Sequence, residues 1–169
     1  MDKKKVRFHL NVLLLDSSLE GDLEQVTACL NAGASVNATN EEGLTALHSS
    51  SCNGHGTIVK YLIEQGAEVN AVDDDKWTPL HGAACFGEVV VTRYLIVHGA
   101  NLNAMNESGD TPLGVAVEDN TKKCLQGMCD PPGKPPLKAR NQNLSFSRCH
   151  AELAHRINVI CPLRPHGAD

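Results

Sequence analysis

The fold class this chain predicts is all-α: a solenoid of stacked helix–turn–helix units. Three observations carry it. Gly33-Ala34 returns as Gly66-Ala67 and Gly99-Ala100, a spacing of 33 residues. Thr45-Ala46-Leu47-His48 returns as Thr78-Pro79-Leu80-His81 and Thr111-Pro112-Leu113-Gly114. Val36-Asn37-Ala38 returns as Val69-Asn70-Ala71 and Leu102-Asn103-Ala104. A fixed period of this length marks repeats that each bury their apolar face only against neighbours.

The elements follow in order. Residues 1–9 form a basic segment, expected to be extended. Residues 10–42 are the first, atypical repeat: Val12-Leu13-Leu14-Leu15 falls where Thr-Ala-Leu-His stands one period later, and Gly21-Asp22 fills the inter-helix loop. Complete repeats span 43–75 and 76–108. In each, Thr offers its hydroxyl to free backbone N–H groups, and Pro79 is pre-set for a helix start. The second helices read as stripes, Val26, Cys29, Leu30, then Val59, Leu62, Ile63, then Thr92, Leu95, Ile96, at helical spacing. The Gly after each stripe suits a left-handed helix end. A partial repeat spans 109–130, with a weak second helix expected over Thr121–Met128 and a stop at Pro131-Pro132. Residues 131–169 are a Pro-rich basic tail with no clear core, expected to be disordered. The period and the Thr-Pro-Leu-His signature resemble the ankyrin repeat, a β-turn followed by two antiparallel helices. The prediction is an ankyrin-repeat solenoid of about three and a half repeats, and that resemblance implies a binding scaffold.

Charge is unevenly spread. Lys3, Lys4, Lys5 and Arg7 against Asp2 give residues 1–10 a net +3. Residues 11–130 hold 17 acids against five Lys or Arg, a net −12, and the tail is net +4. An acidic array argues against nucleic acid as its ligand and for a basic protein surface. Glu41, Glu42, Asp73, Asp74, Asp75, Glu107 and Asp110 fall at or beside the turns between repeats and form the candidate binding field. No stretch has the length or flanks of a membrane span or signal peptide. The seven Cys contain no C-x-x-C pair, and Cys52 and Cys85 stand one repeat apart as small core residues. A reducing compartment, cytoplasmic or nuclear, is the expected setting.

The basic N-terminus carries a second pattern, Lys4-Lys5-Val6-Arg7-Phe8, directly before the first helix. In an extended chain Val6 and Phe8 point one way while Lys5 and Arg7 point the other. That layout suits a peptide that adds a strand to a sheet edge and fills two apolar pockets. The plainer alternative is a terminus whose Phe8 tucks against the first repeat.

With its position, this pattern resembles the start of the myosin phosphatase targeting family and its smaller relatives, regulatory subunits of type 1 protein phosphatase. The matching stretches are Lys5-Val6-Arg7-Phe8, Val12-Leu13-Leu14-Leu15-Asp16, Gly21-Asp22-Leu23-Glu24-Gln25-Val26, Gly43–His48, Lys76–His81 and Asn106–Pro112. The resemblance covers residues 4 to about 119 and ends there. It implies that Lys4, Lys5, Val6, Arg7 and Phe8 dock the phosphatase catalytic subunit and that the acidic array adds a second contact. The family's long C-terminal targeting regions have no counterpart here, so the resemblance implies a short regulator or inhibitor. The alternative is a general ankyrin adaptor for another protein, such as a ubiquitin-ligase substrate adaptor, although Leu144 to Cys149 is one residue longer than that adaptor box requires.

Other chemistries find little footing. His48 and His81 occupy identical repeat positions and are expected to bond the turns of neighbouring repeats. No Ser-His-Asp set or Gly-rich phosphate loop is present, so no catalysis and no cofactor are expected. Asp73-Asp74-Asp75 lacks the alternation of a calcium loop. Cys149, His150, His155, Cys161 and His166 are zinc-ligand types at a spacing that matches no familiar module. Pro132 to Pro135 reads as a linker rather than a P-x-x-P ligand. Asn70 resembles the sites that an asparaginyl hydroxylase modifies in ankyrin repeats, with a turn role as its first reading. The expected protein is a monomer apart from its partner.

Overall fold

The structure is a computed structural model that describes residues 3–127. The Pro-rich tail and its cysteines and histidines lie outside the described residues. Eight helices are described: α1 (Lys3–Glu20), α2 (Leu23–Asn31), α3 (Ala46–Cys52), α4 (Gly56–Glu64), α5 (Pro79–Cys85), α6 (Val89–Val97), α7 (Pro112–Val115) and α8 (Asp119–Leu125). Strand pairing among the described residues is limited to one isolated bridge, Thr39 to Thr45. The fold is an all-α solenoid. First helices α1, α3, α5 and α7 stack as one layer, and second helices α2, α4, α6 and α8 stack as the other.

The repeat is locked by one device used twice. The hydroxyl of Thr45 accepts from His48 N–H, and His48 Nδ1 accepts from Thr45 N–H at 3.1 Å. A ring nitrogen that accepts there leaves the proton on Nε2, which donates to the Trp77 carbonyl in the next turn at 3.1 Å. Thr78 and His81 repeat the arrangement, with His81 Nε2 donating to the Asp110 carbonyl at 3.1 Å. Each His therefore caps its own helix and pins the following turn. The structural role read from sequence is what these residues perform.

Between the layers, Val26, Leu47, Ile58, Val59, Leu62, Leu80, Val91 and Leu95 are excluded from solvent. Each such side chain contributes on the order of 1.5–3 kcal/mol relative to exposure.

The fourth repeat departs from the period for visible reasons. Gly114 stands where His48 and His81 stand, so Thr111 caps α7 alone and no ring reaches onward. Helix α8 begins at Asp119, earlier than the Thr121 start expected from sequence. Asp119 in its first turn and Lys122 and Lys123 in its last complement the helix dipole at this register. Gly127, at φ 73°, then ends it before the proline pair is reached.

The larger departure is at the N-terminus. Residues 3–9 are not extended; they are the first turns of α1. Once the packed half of a helix exists, each added residue gains a hydrogen bond without a new nucleation cost. Lys, Arg and Leu are good helix formers, so the helix runs outward past its buried residues.

Candidate functional site

Helix α1 changes character along its length. Leu14 is fully buried, Ser18 is buried with its hydroxyl donating to the Leu14 carbonyl at 2.7 Å, and Asn11 Oδ1 accepts from Ser35 N–H at 2.9 Å. Lys5, Val6, Arg7, Phe8 and His9 are all exposed. Phe8 keeps 71% of its surface exposed and Val6 44%, a large apolar exposure for a helix end. The first turn holds no acid, and Lys3, Lys4 and Lys5 sit at the positive end of the dipole. In this helix Val6 and Phe8 lie roughly 200° apart around the axis, so they do not share the face they would share in an extended segment. The exposed apolar pair stands as expected; its presentation does not.

The acidic field divides. Glu41, Asp74 and Glu107 are exposed, one on each finger at the same register. Asp110 is exposed too, while its carbonyl receives the His81 bond. Glu42 and Asp75 are half-buried, and their carbonyls accept from Asp74 N–H at 3.1 Å and Glu107 N–H at 2.9 Å, which ties each finger to the next. Asp73 does not belong to a binding surface. It is 4% exposed, and its Oδ1 accepts from Asp75 N–H and Trp77 N–H at 3.0 and 2.8 Å. Asn40 does the same for Glu42 and Leu44, and Asn106 for Asp110. Alignment of Asn40, Asp73 and Asn106 by the period is the signal that identifies Asp73 as a turn former.

Sequence reasoning also passed over Lys76. It adopts φ 61° at the finger position where Gly43 and Gly109 supply the left-handed residue. A bulky residue in that region is strained. Gly43 is constrained more tightly, since an added Cβ there would lie 3.1 Å from the Asp73 Cα.

Asn70 uses both amide atoms, with Oδ1 accepting from Asn101 N–H at 2.8 Å and Nδ2 donating to the Gly99 carbonyl at 3.0 Å. Asn37 makes the same pair of bonds to Glu68 and Gly66. This ladder joins each finger to the following repeat.

Titration marks the locks, not a reaction centre. Burial pulls His48 down to about 4 and lowers His81 as well. Desolvation, with a smaller contribution from Asp73, pushes the Cys52 thiol up to about 12, where it is no nucleophile. Among the described residues no group of three or more His, Cys, Asp or Glu is placed to hold a metal ion, Asp73-Asp74-Asp75 included. No described helix is long and apolar enough to cross a membrane.

Residues 13–106 match the family described as ankyrin repeats (3 copies), and a second match spans 65–139. This chain is an ankyrin-repeat protein. Over 59 residues it is 45% identical to apoptosis-stimulating of p53 protein 2 from Homo sapiens, covering 35% of this chain and 5% of that protein. It is 40% identical over 60 residues to RelA-associated inhibitor from Mus musculus, covering 36% of this chain and 7% of that one. A third relative, Notch-regulated ankyrin repeat-containing protein A from Danio rerio, is 42% identical over 50 residues, covering 30% of this chain and 45% of the relative. The ankyrin-repeat chain thus spans a small part of its first two relatives. It is a protein–protein interaction adaptor by class.

Proposed function

We propose that this ankyrin-repeat protein is a non-enzymatic regulatory or inhibitory subunit of the type 1 protein phosphatase catalytic subunit, acting in the cytoplasm or nucleus. The observation that carries the reading is the exposed Val6 and Phe8 within Lys5-Val6-Arg7-Phe8, on helical turns whose side chains from Lys5 to His9 are all exposed. Docking unwinds those turns. The cost is small because Lys5 to His9 are exposed, the first turn holds no acid, and its lysines oppose the dipole. In the extended form Val6 and Phe8 fill two adjacent pockets beside a sheet edge, and Lys4, Lys5 and Arg7 face acids around the groove. Glu41, Asp74 and Glu107 supply a second contact to a basic surface of the same partner. Two weak sites on one chain raise the total affinity beyond either alone.

A second reading has its own support. The similarity to apoptosis-stimulating of p53 protein 2 and RelA-associated inhibitor covers only about a third of the chain. A general adaptor that engages a different protein through its fingers accounts for that similarity and leaves the N-terminus incidental. Titration calorimetry against the purified phosphatase catalytic subunit separates the two. The proposal expects binding by the parent and at least a tenfold loss in Val6→Ala/Phe8→Ala. Equal binding by both moves the contact to the fingers, and no binding by either leaves the adaptor reading alone.

A further inference from the structure

The array is acidic as a whole, yet its cations are not scattered. Of the five Lys and Arg between residues 11 and 130, only Lys76 is on a finger. Lys60, Arg93, Lys122 and Lys123 all lie on the second helices α4, α6 and α8. Lys60 and Arg93 are one period apart on adjacent helices. Helix α8 starts three residues early relative to Val89, and that shift brings Lys123 into the register of Arg93. The burial pattern agrees, since Val91 and Leu95 of α6 and Thr121 and Leu125 of α8 are the matching buried positions. Three stacked helices therefore carry one cationic row.

This row crosses an apolar stripe that only α6 possesses. Val90, Tyr94 and Val97 recur at helical spacing on the face opposite Val91 and Leu95. Val90 keeps 73% and Val97 75% of its surface exposed. The corresponding positions carry Glu24 and Asn31 on α2, and Thr57 and Glu64 on α4. Stacking therefore does not call for valine there. Arg93 flanks the stripe, half-buried, and its Nε has no hydrogen-bond partner among the described residues. Among the described residues Lys60 pairs with Glu64, at 3.9 Å between two exposed side chains, a contact worth little.

From this charge and apolar complementarity we infer that the outer face of α6 and α8 is a second docking surface, for an acidic amphipathic helix of a partner protein. Apolar side chains of such a helix lie along Val90, Tyr94 and Val97, and its flanking carboxylates meet Arg93 and Lys123. The surface is separate from the N-terminal docking residues and from the acidic fingers, so it stands whether or not the phosphatase reading holds. Other occupants fit less well. A twofold pairing of α6 about the middle of the stripe sets Arg93 against its own copy. A membrane surface fits less well, because two valines and a tyrosine make a poor interfacial anchor.

The test uses the full chain and two fluorescein-labelled helical peptides with the same leucine stripe, one flanked by Glu and one by Lys, followed by anisotropy. The Glu peptide should bind at least tenfold more tightly than the Lys peptide. Arg93→Glu and, separately, Lys123→Glu at an exposed position should each cut its affinity several-fold, and Val90→Ser/Val97→Ser should cut it about tenfold. Glu41→Lys/Glu107→Lys, on the fingers, should leave it unchanged. Circular dichroism melts confirm that each variant folds. Equal binding of the two peptides overturns the inference, as does sensitivity to the finger variant in place of the helix variants. Binding of phosphatidylserine vesicles without the Glu peptide overturns it in favour of a lipid surface. Concentration-dependent self-association lost in Arg93→Glu overturns it in favour of a second copy.

Discussion

One helix holds two kinds of structure. From Leu13 to Glu20, α1 behaves as part of the array: Leu14 is sealed between elements, and Ser18 is buried beside it. From Lys5 to His9 every side chain of the same helix is exposed. The first stretch is fixed by the neighbours it touches, the second only by continuation from the first. Residues free of tertiary obligations are the ones able to change conformation at small cost, and here they are also the ones that carry the docking pattern. The locked repeats show the opposite economy, with each His committed to two backbone groups in two repeats.

The largest effects should come from breaking the packed side. Leu14→Ala should cost about 2–5 kcal/mol in urea unfolding, because it empties a fully buried site. Phe8→Ala should change stability by less than about 0.5 kcal/mol, as an exposed position does. Similar losses for both would erase the distinction between the two halves of α1.

Acid should unlock the repeats next. His48 sits at about 4 in the fold, below its ordinary 6.5, so the unfolded chain takes up the proton first as pH falls. Stability is complete above pH 6.5 and is lost between there and about 4, by about 3 kcal/mol for His48. His81, lowered by burial, adds loss of the same sign. Glu88 works the other way: desolvation and then Glu118 raise it, so its protonation in acid relieves a cost. Urea midpoints measured between pH 7.5 and 4.5 check this, and His48→Gln should flatten the slope. Amides of residues 5–9, remote from the two His locks in sequence, should show no matching transition.

A smaller effect sharpens the contrast at the docking end. His9→Pro interrupts the helix just before its first packed residues and disfavours helical geometry at Phe8. Global stability should hold within about 0.5 kcal/mol, since His9 is exposed. Affinity for the phosphatase catalytic subunit, read by calorimetry, should stay level or rise about two- to threefold, because the unwinding is already done. A tenfold loss would mean that the helical form is the one that binds.

Much of this was legible in the residues. The period, the Thr caps, the inter-helix glycines and the two His locks follow from local chemistry that repeats in register. Three things were not. The helical state of residues 3–9 depends on Leu14 and its neighbours anchoring the helix downstream, which a five-residue pattern does not contain. The early α8 depends on the charges of Asp119, Lys122 and Lys123 and on Gly127, which outweigh the period once His gives way to Gly114. The burial of Asp73 was hidden by its acidic neighbours, because a run of three Asp reads as solvated until the middle repeat is aligned with Asn40 and Asn106. The cationic row on the outer helices needs the shifted register of α8, which only the structure supplies.

Hydrogen exchange on the free chain and on its complex with the phosphatase catalytic subunit tests the central claim most directly. In the free protein, amides of residues 5–9 should exchange orders of magnitude faster than those of residues 14–18. In the complex, residues 5–9 should become strongly protected while residues 14–18 stay as they were. Protection of residues 5–9 equal to that of residues 14–18 in the free protein, or no gain on adding the phosphatase, would contradict the account.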